Sequence, residues 1–433
     1  MIIDDIAQVV YAPQKAFKRI IENPKYLGTL LILLLFVGIQ IGYEYAQFSK
    51  TYTEQTSPTV DQLSAYTNAT YWNGSQGVTL NNTYNDFFNY SVYVAALGTT
   101  PTDQAGYYNL FANYTNDIGP SSLEIDAVNT NNISAALSNA FNVDCSASGF
   151  QNLSMTIKMV SPKVAPQSVV LTLYSLNDSN YYTYDLTSSL SNTTAIGLWQ
   201  NLTIPVGPAY SGWTSGGAPT WGNVTALKLD FDYPANSNIT MRIGALFFRG
   251  QYQTPIEYNN TGLLLQFLQV FSLQFIFSWF LLTGLIYLFF KGLKTSVTWK
   301  PIFVALAFAL FVMVIRALVN LVAALTLPPV YYPFDLTLGV RFDAFGSVFY
   351  PPEAVGALSA QSQAIFSSVD SLTSAFRFVT SGIFYVAYVW LGALCTIIVG
   401  TLKPEFSMVK RIVIAGVSVA VTILLLLLLV GIA

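Results

Sequence analysis

Five apolar runs divide this chain, at residues 26–48, 263–290, 301–327, 376–402 and 410–432. Each is long enough to cross a bilayer, which takes roughly 20 residues in a helix. Lipid offers no partner to a backbone N–H or C=O, so such runs must be α-helices that satisfy those groups internally. The composition agrees: 53% of residues are hydrophobic and only 9% are charged, against roughly a quarter charged in soluble domains.

Basic residues orient the spans. Lys15, Lys18, Arg19 and Lys25 precede the first run, Lys291, Lys294 and Lys300 follow the second, and Lys403, Lys410 and Arg411 separate the fourth from the fifth. The positive-inside rule then predicts a multi-pass plasma-membrane protein with a cytoplasmic N-terminus. The long segment after the first run, the 328–374 loop and the C-terminus fall outside. Within the cytoplasmic segment 1–25, Pro13 suits a helix start, and Phe17, Ile20 and Ile21 lie opposite Lys15, Lys18 and Arg19. That pattern predicts an amphipathic helix at the membrane surface. A cleaved signal peptide is the rival reading for the first run, but its apolar core is long and no small-x-small site follows. Either way the insert lies outside.

The insert is polar and dense in N-x-[S/T] sequons, at Asn68, Asn73, Asn81, Asn89, Asn113, Asn132, Asn152, Asn177, Asn192, Asn201, Asn223, Asn238 and Asn259, with none elsewhere. These are candidate N-glycosylation sites on an outside domain. Between residues 51 and 261 there are 13 acidic and 5 basic side chains, so the insert carries −8 and disfavours a nucleic-acid partner. Cys145 and Cys395 fall in the insert and in the fourth run, too far apart in kind to form a disulfide. There is no histidine, which removes the usual general base and the commonest transition-metal ligand.

Segment 49–120 is Tyr- and Asn-rich with weak periodicity and reads as a leader of open structure. From 121 to 256 the pattern sharpens. Leu153, Met155, Ile157 and Met159 alternate with polar residues, as do Val169, Leu171 and Leu173; Leu227, Leu229 and Phe231; and Ile239, Met241, Ile243, Ala245 and Phe247. Period-2 alternation between Asn/Ser/Gly/Pro turns predicts an antiparallel β-sandwich. The expected fold is thus a five-helix membrane bundle with an extracellular all-β jelly-roll sandwich between helices 1 and 2.

Two resemblances extend this. From about Leu123 to Tyr252, the succession LSMTIKM, VVLTLY, YYTYDL, LWQNLTIPVG, WGNVTALKLDFDY and ITMRIGALFFRG resembles the jelly rolls of galactose-binding-like and carbohydrate-binding modules. This implies a glycan-binding fold. The membrane part resembles the Yip-domain family of five-helix membrane proteins, through YAPQKAFKRIIENPKY, FFKGLKTSVTWKPIFVALAFALFVMVIRALV and VDSLTSAFRFVTSGIFYVAYVWLGAL. Members usually have a short loop where this chain carries its long insert, so the trafficking role of the eukaryotic relatives is not carried over.

Candidate sites follow from residue chemistry. Tyr210, Trp213 and Trp221 sit in a glycine-rich loop and are the glycan-stacking candidates; the competing role for Trp221 is packing under the loop as core. Asp178, Asp185, Asp230 and Asp232 are candidates for a structural calcium, against the alternative of solvated surface acids. No other cofactor is expected. Arg316 and Asn320 lie within the third run, in the outer part of the bilayer, level with Gln40 and Glu44 of the first. A Glu44–Arg316 contact is expected. No P-loop, zincin or nucleophile elbow is present and no Ser/His or Cys/His pair can be built, so no enzyme is expected. The leading expectation is a cell-envelope protein, suited to an archaeal surface, that binds surface glycan or protein through a glycosylated sandwich or serves as an envelope assembly subunit. The alternative is a transporter or transporter accessory with a solute-capturing ectodomain. A polar cavity lined by Gln40, Glu44, Arg316 and Asn320 would favour the alternative.

Overall fold

The computed structural model describes residues 2–59, 65–84, 121–138, 140–193, 196–332, 341–342, 348–349 and 360–430. Among them are five helices long and apolar enough to cross a membrane, and a large β-sheet folded around its own core.

The bundle is built from α3 (Tyr26–Phe48), α4 (Pro255–Gly292), the pair α5 (Trp299–Ala309) and α6 (Phe311–Leu325), α7 (Ala360–Leu402) and α8 (Met408–Val430). The third span, α5–α6, is the central post: 72% of its apolar window is buried, against 28% to 33% in the others. It is broken at Leu310, where the ladder tightens to an i−3 bond from Met313 N to Leu310 O of 2.9 Å. Neither glycine nor proline marks this break.

Two short helices precede the spans, α1 (Ile2–Tyr11) and α2 (Pro13–Glu22). Pro13 marks the start of α2 in the sequence, whereas α1 carries no such mark. Their apolar faces enter the bundle instead of lying on the lipid surface: Ile6, Val9, Ala16, Phe17 and Ile20 join one cluster with Phe290, Ile302 and Val399. Burying each large side chain contributes about 1.5–3 kcal/mol, so both helices are part of the bundle's closed end. Arg19 ties them together through Asp5 (3.2 Å) and Gln8.

The sheet has eleven strands among the described residues. The longest, β10 (Val224–Gln253), pairs along most of its length with β4 (Ser121–Leu137). LKLDF and ITMRIGALF, which read as separate strands, are two arms of β10. The YPANSN segment between them (residues 233–238) bends the strand with register shifts and does not end it. One arm pairs with β6 (Ser168–Ser175), then β7 (Asn177–Asp185) and β9 (Thr214–Gly216); the other pairs with β5 (Asn152–Ser161) and then β8 (Trp199–Pro205). The two halves close on a single core that includes Ile133, Leu171 and Leu229 from one arm and Ile125, Met155 and Met241 from the other. The 49–120 leader contributes β1 (Thr51–Ser57), β2 (Trp72–Gly74) and β3 (Val78–Tyr84), and Trp72 and Tyr66 enter this core.

Three spans run directly into the sheet. Helix α3 ends at Phe48 and β1 begins at Thr51; β10 ends at Gln253 and α4 begins at Pro255; α6 ends at Leu325 and β11 (Val330–Tyr332) follows. Strand β1 lies between β10, antiparallel, and β11, parallel. Thr254 caps α4 in a reciprocal box with Glu257, whose Oε2 accepts from Thr254 N at 2.7 Å. A bidentate pair, Arg249 Nε to Glu54 Oε1 at 2.9 Å and Arg249 Nη2 to Glu54 Oε2 at 3.1 Å, locks β10 to β1. Helix α7 starts well before Phe376 because Val369 packs on Val330 and Tyr332, extending the helix to meet the sheet.

Candidate functional site: a polar cavity in the bundle

A cavity of about 410 Å³ lies between α3, α4, α6 and α7, with Lys50, Thr51, Val330 and Tyr332 of the strand junction at one end. This volume is within the usual range for a small-molecule site. Helical periodicity places its polar lining. Gln40, Tyr43 and Gln47 fall at i, i+3, i+7 on α3, and Met313, Arg316, Ala317 and Asn320 repeat that spacing on α6. Asp370, Thr373, Arg377, Thr380, Phe384 and Tyr388 run down one face of α7, and Gln274 and Ser278 come from α4.

The mouth is at the sheet end. There Arg377 and Asp370 form an ion pair whose side chains are 45% and 46% exposed. Below the main cavity, Leu282, Leu310, Leu391, Val419 and Leu426 close around a void of about 20 Å³. Beyond it Ile286, Phe290, Ile302 and Val399 continue the apolar core. Apolar packing therefore closes the end away from the sheet.

Arg316 is the deep charge. Its guanidinium carbon lies 4.6 Å from the Phe384 ring centroid and 5.9 Å from that of Tyr388. Its polar neighbours are the phenols of Tyr388 and Tyr43. Cation–π contacts contribute about 0.5–2 kcal/mol each, whereas withdrawing an ion from water costs several kcal/mol. The aromatic faces alone do not offset that cost. Asn320, one turn further along α6, is 4% exposed, and its Oδ1 has no hydrogen-bond partner among the described residues; Gln274 Oε1 is likewise buried and unpartnered.

The structure brings Gln40, Arg316 and Asn320 together and leaves Glu44 out. Glu44 is buried at 1% exposure but does not line the cavity, and no carboxylate among the described residues pairs with Arg316. The expected Glu44–Arg316 contact is thus corrected, and the reason is helical phase. At about 100° per residue, Phe36, Gln40, Tyr43 and Gln47 share a face whose centre lies about 70° from Glu44. Matching levels across two spans is not enough when the side chains point along different radii. Gln47, Gln274, Asp370 and Arg377 were missed as site residues. The signal available was polar spacing inside apolar runs: Gln40 to Gln47 by seven, and Gln274 to Ser278 by four, as Arg316 to Asn320.

The glycine-rich loop is an aromatic cluster. Trp221 stacks on Tyr182 at 3.8 Å and 10°, Trp213 meets Tyr184 at 5.0 Å, and the Trp213 indole N–H donates to Pro205 O at 2.8 Å. Both indoles are half-buried and pack against the sheet core, and Tyr210 stays exposed.

The four acids proposed for calcium are engaged separately. Asp230 pairs with Lys228 at 2.9 Å, Asp232 accepts from Asn132 Nδ2, and Asp185 accepts from Thr187 N at 2.8 Å. The Thr187 bonds hold the Asp185 carboxyl below the usual carboxylate range. Asp178 is exposed at the start of β7. Among the described residues no three His, Cys, Asp or Glu side chains cluster in a way that would hold a metal.

Of the sequons, Asn73, Asn81, Asn132, Asn177, Asn192, Asn201, Asn238 and Asn259 are exposed and Asn68, Asn152 and Asn223 are half-buried. Asn89 and Asn113 lie outside the described residues.

No protein-family profile and no curated protein sequence matches the chain. Among solved structures, a family 11 carbohydrate-binding module from Clostridium thermocellum, in complex with a β-1,3-1,4-mixed-linked tetrasaccharide, matches at 11% identity and a TM-score of 0.24. That match covers 41% of this chain and 88% of the module. An arabinose-bound α-L-arabinofuranosidase matches at 12% identity and a TM-score of 0.26, over 44% of this chain and 26% of the enzyme. Scores this low assign neither fold nor ligand to the chain.

Proposed function

We propose that this chain is a non-enzymatic, multi-pass membrane protein that binds a polar solute inside its helical bundle, as a transporter or transporter accessory. Its β-domain stands outside the cell and frames the entrance. The carrying observation is the cavity itself: polar faces of α3, α4, α6 and α7 converge on about 410 Å³ of space that opens toward the sheet and is closed by apolar side chains at the other end. Polar groups at membrane depth are costly and mark solute or ion pathways. Continuity of α3, α4 and α6 with β1, β10 and β11 supports a coupled unit, in which movement of the sheet edge is felt at the cavity roof.

The test is accessibility. Ser278 lines the cavity and Leu424 faces the lipid side at 55% exposure, while both native cysteines are buried and give a low background. A charged, membrane-impermeant methanethiosulfonate reagent added on the β-domain side should modify Ser278→Cys and leave Leu424→Cys untouched. Equal protection of both positions would remove the solute-site reading.

A further inference from the structure

The chemistry of the deep end of the cavity narrows the class of solute. Among the described residues three cations line the cavity as a whole, Lys50, Arg316 and Arg377, against one carboxylate, Asp370, which is held by Arg377 at the mouth. Arg316 is set further in: its partner Phe384 is seven residues beyond Arg377 on α7, about 10 Å along the helix. The Phe384 ring covers the face of the guanidinium and the Tyr388 hydroxyl takes part of its N–H edge; the remaining N–H groups are suited to carboxylate or phosphate oxygens. Independently, Asn320 is nine-tenths buried with an unpartnered amide oxygen one turn nearer the sheet, and Gln274 presents another from α4. Amides can serve as donor or acceptor, so both can bind the polar remainder of such a ligand. Phe36, Phe275 and Met313 supply an apolar wall.

We infer that the cavity takes an organic anion, with a carboxylate or phosphate headgroup on Arg316 and Asn320 and an apolar portion against Phe36, Phe275 and Met313. This rests on the reading of the cavity as a solute site. The anion can come from free solute or from a lipid headgroup, since the recognising chemistry is the same.

The experiment uses the full-length protein in phosphatidylcholine nanodiscs and equilibrium dialysis with hexanoate, hexyl phosphate, hexanol and hexylammonium. Hexanoate or hexyl phosphate should bind saturably, and hexanol and hexylammonium should not. Arg316→Gln should weaken anion binding by roughly 30-fold or more, as expected when one partner of a buried charge pair is removed. Arg316→Lys should recover part of the loss and Lys403→Gln, at the far end of the bundle, should bind as the wild type does. Doping with phosphatidylglycerol separates the sources: competition with hexyl phosphate indicates a lipid headgroup, and no competition indicates free solute. If hexanol or hexylammonium binds as well as hexanoate and is lost in Ala317→Phe, the solute site stands and the anion assignment falls. If no probe binds the wild type, or Arg316→Gln binds anions unchanged while melting as the wild type does, the anion assignment is overturned. The solute-site reading is then decided by the Ser278→Cys labelling alone.

Discussion

One buried ion pair joins β10 to β1 at the junction between sheet and bundle, and its removal has a calculable consequence. The side chains of Arg249 and Glu54 are 18% and 3% exposed, and two hydrogen bonds of 2.9 and 3.1 Å fix them in a fork. Arg249→Met leaves the Glu54 carboxylate buried opposite a thioether. Breaking a buried pair from one side costs about 3–5 kcal/mol. For a β-domain of this size each kcal/mol lowers the melting temperature by about 2–4 °C, so a drop of roughly 6–20 °C is expected. Replacing both partners, as Glu54→Leu with Arg249→Met, removes the uncompensated charge and should recover most of that loss. The measurement is thermal denaturation of the full-length protein in nanodiscs, followed by tryptophan fluorescence, since four of the indoles (Trp72, Trp199, Trp213 and Trp221) lie in the β-domain. A single variant melting within about 1 °C of the wild type, or a double variant no better than the single, would refute the view that this pair holds β1 to β10.

Three further outcomes are expected. Tyr233 is buried with an unpartnered hydroxyl, and burial pushes its phenol up from 10.0 to about 12. The neutral form is thus favoured in the fold, and the associated stability is intact below pH 10 and is lost as pH rises toward 12. Tyr233→Phe should melt at or above the wild-type temperature at neutral pH and show a flatter decline in alkali; a large loss at neutral pH would contradict the unpartnered hydroxyl. Trp221→Ala should lower the melting temperature, because the half-buried indole stacks on Tyr182 and packs against the core, whereas Tyr210→Ala should leave melting unchanged, and any glycan-array binding by the full-length protein should depend on Tyr210. Retained array binding in both Tyr210→Ala and Trp213→Ala would clear the loop of that role. Because the four acids are engaged apart from one another, calcium or a chelator should leave the melt of the β-domain unchanged; a chelator-induced drop would point to an ion.

Spans and strands were readable because their signals are local. An apolar run of bilayer length has one solution in lipid, and alternation such as Leu153, Met155, Ile157 and Met159 places one face inward wherever the strand sits. What failed to show were features decided by distant parts of the chain. Pro234 within YPANSN reads as the end of a strand, yet β4 pairs on both sides of it and carries β10 through. The break at Leu310 has no sequence mark, and the early start of α7 depends on Val330 and Tyr332, far away in sequence. The site was legible in type but not in pairing. Gln40, Arg316 and Asn320 stood out as polar residues in lipid-length runs, but the angle separating Glu44 from the cavity face required knowing which side of α3 meets α6.

The bundle encloses a polar cavity around Arg316, which has no acidic partner among the described residues. An experimental density map of the full-length protein in neutral nanodiscs tests this most directly. Non-protein density, of water or bound anion, is expected between Arg316, Asn320 and Gln40. Helices closed together with Arg316 paired to Glu44 and no such density would contradict it.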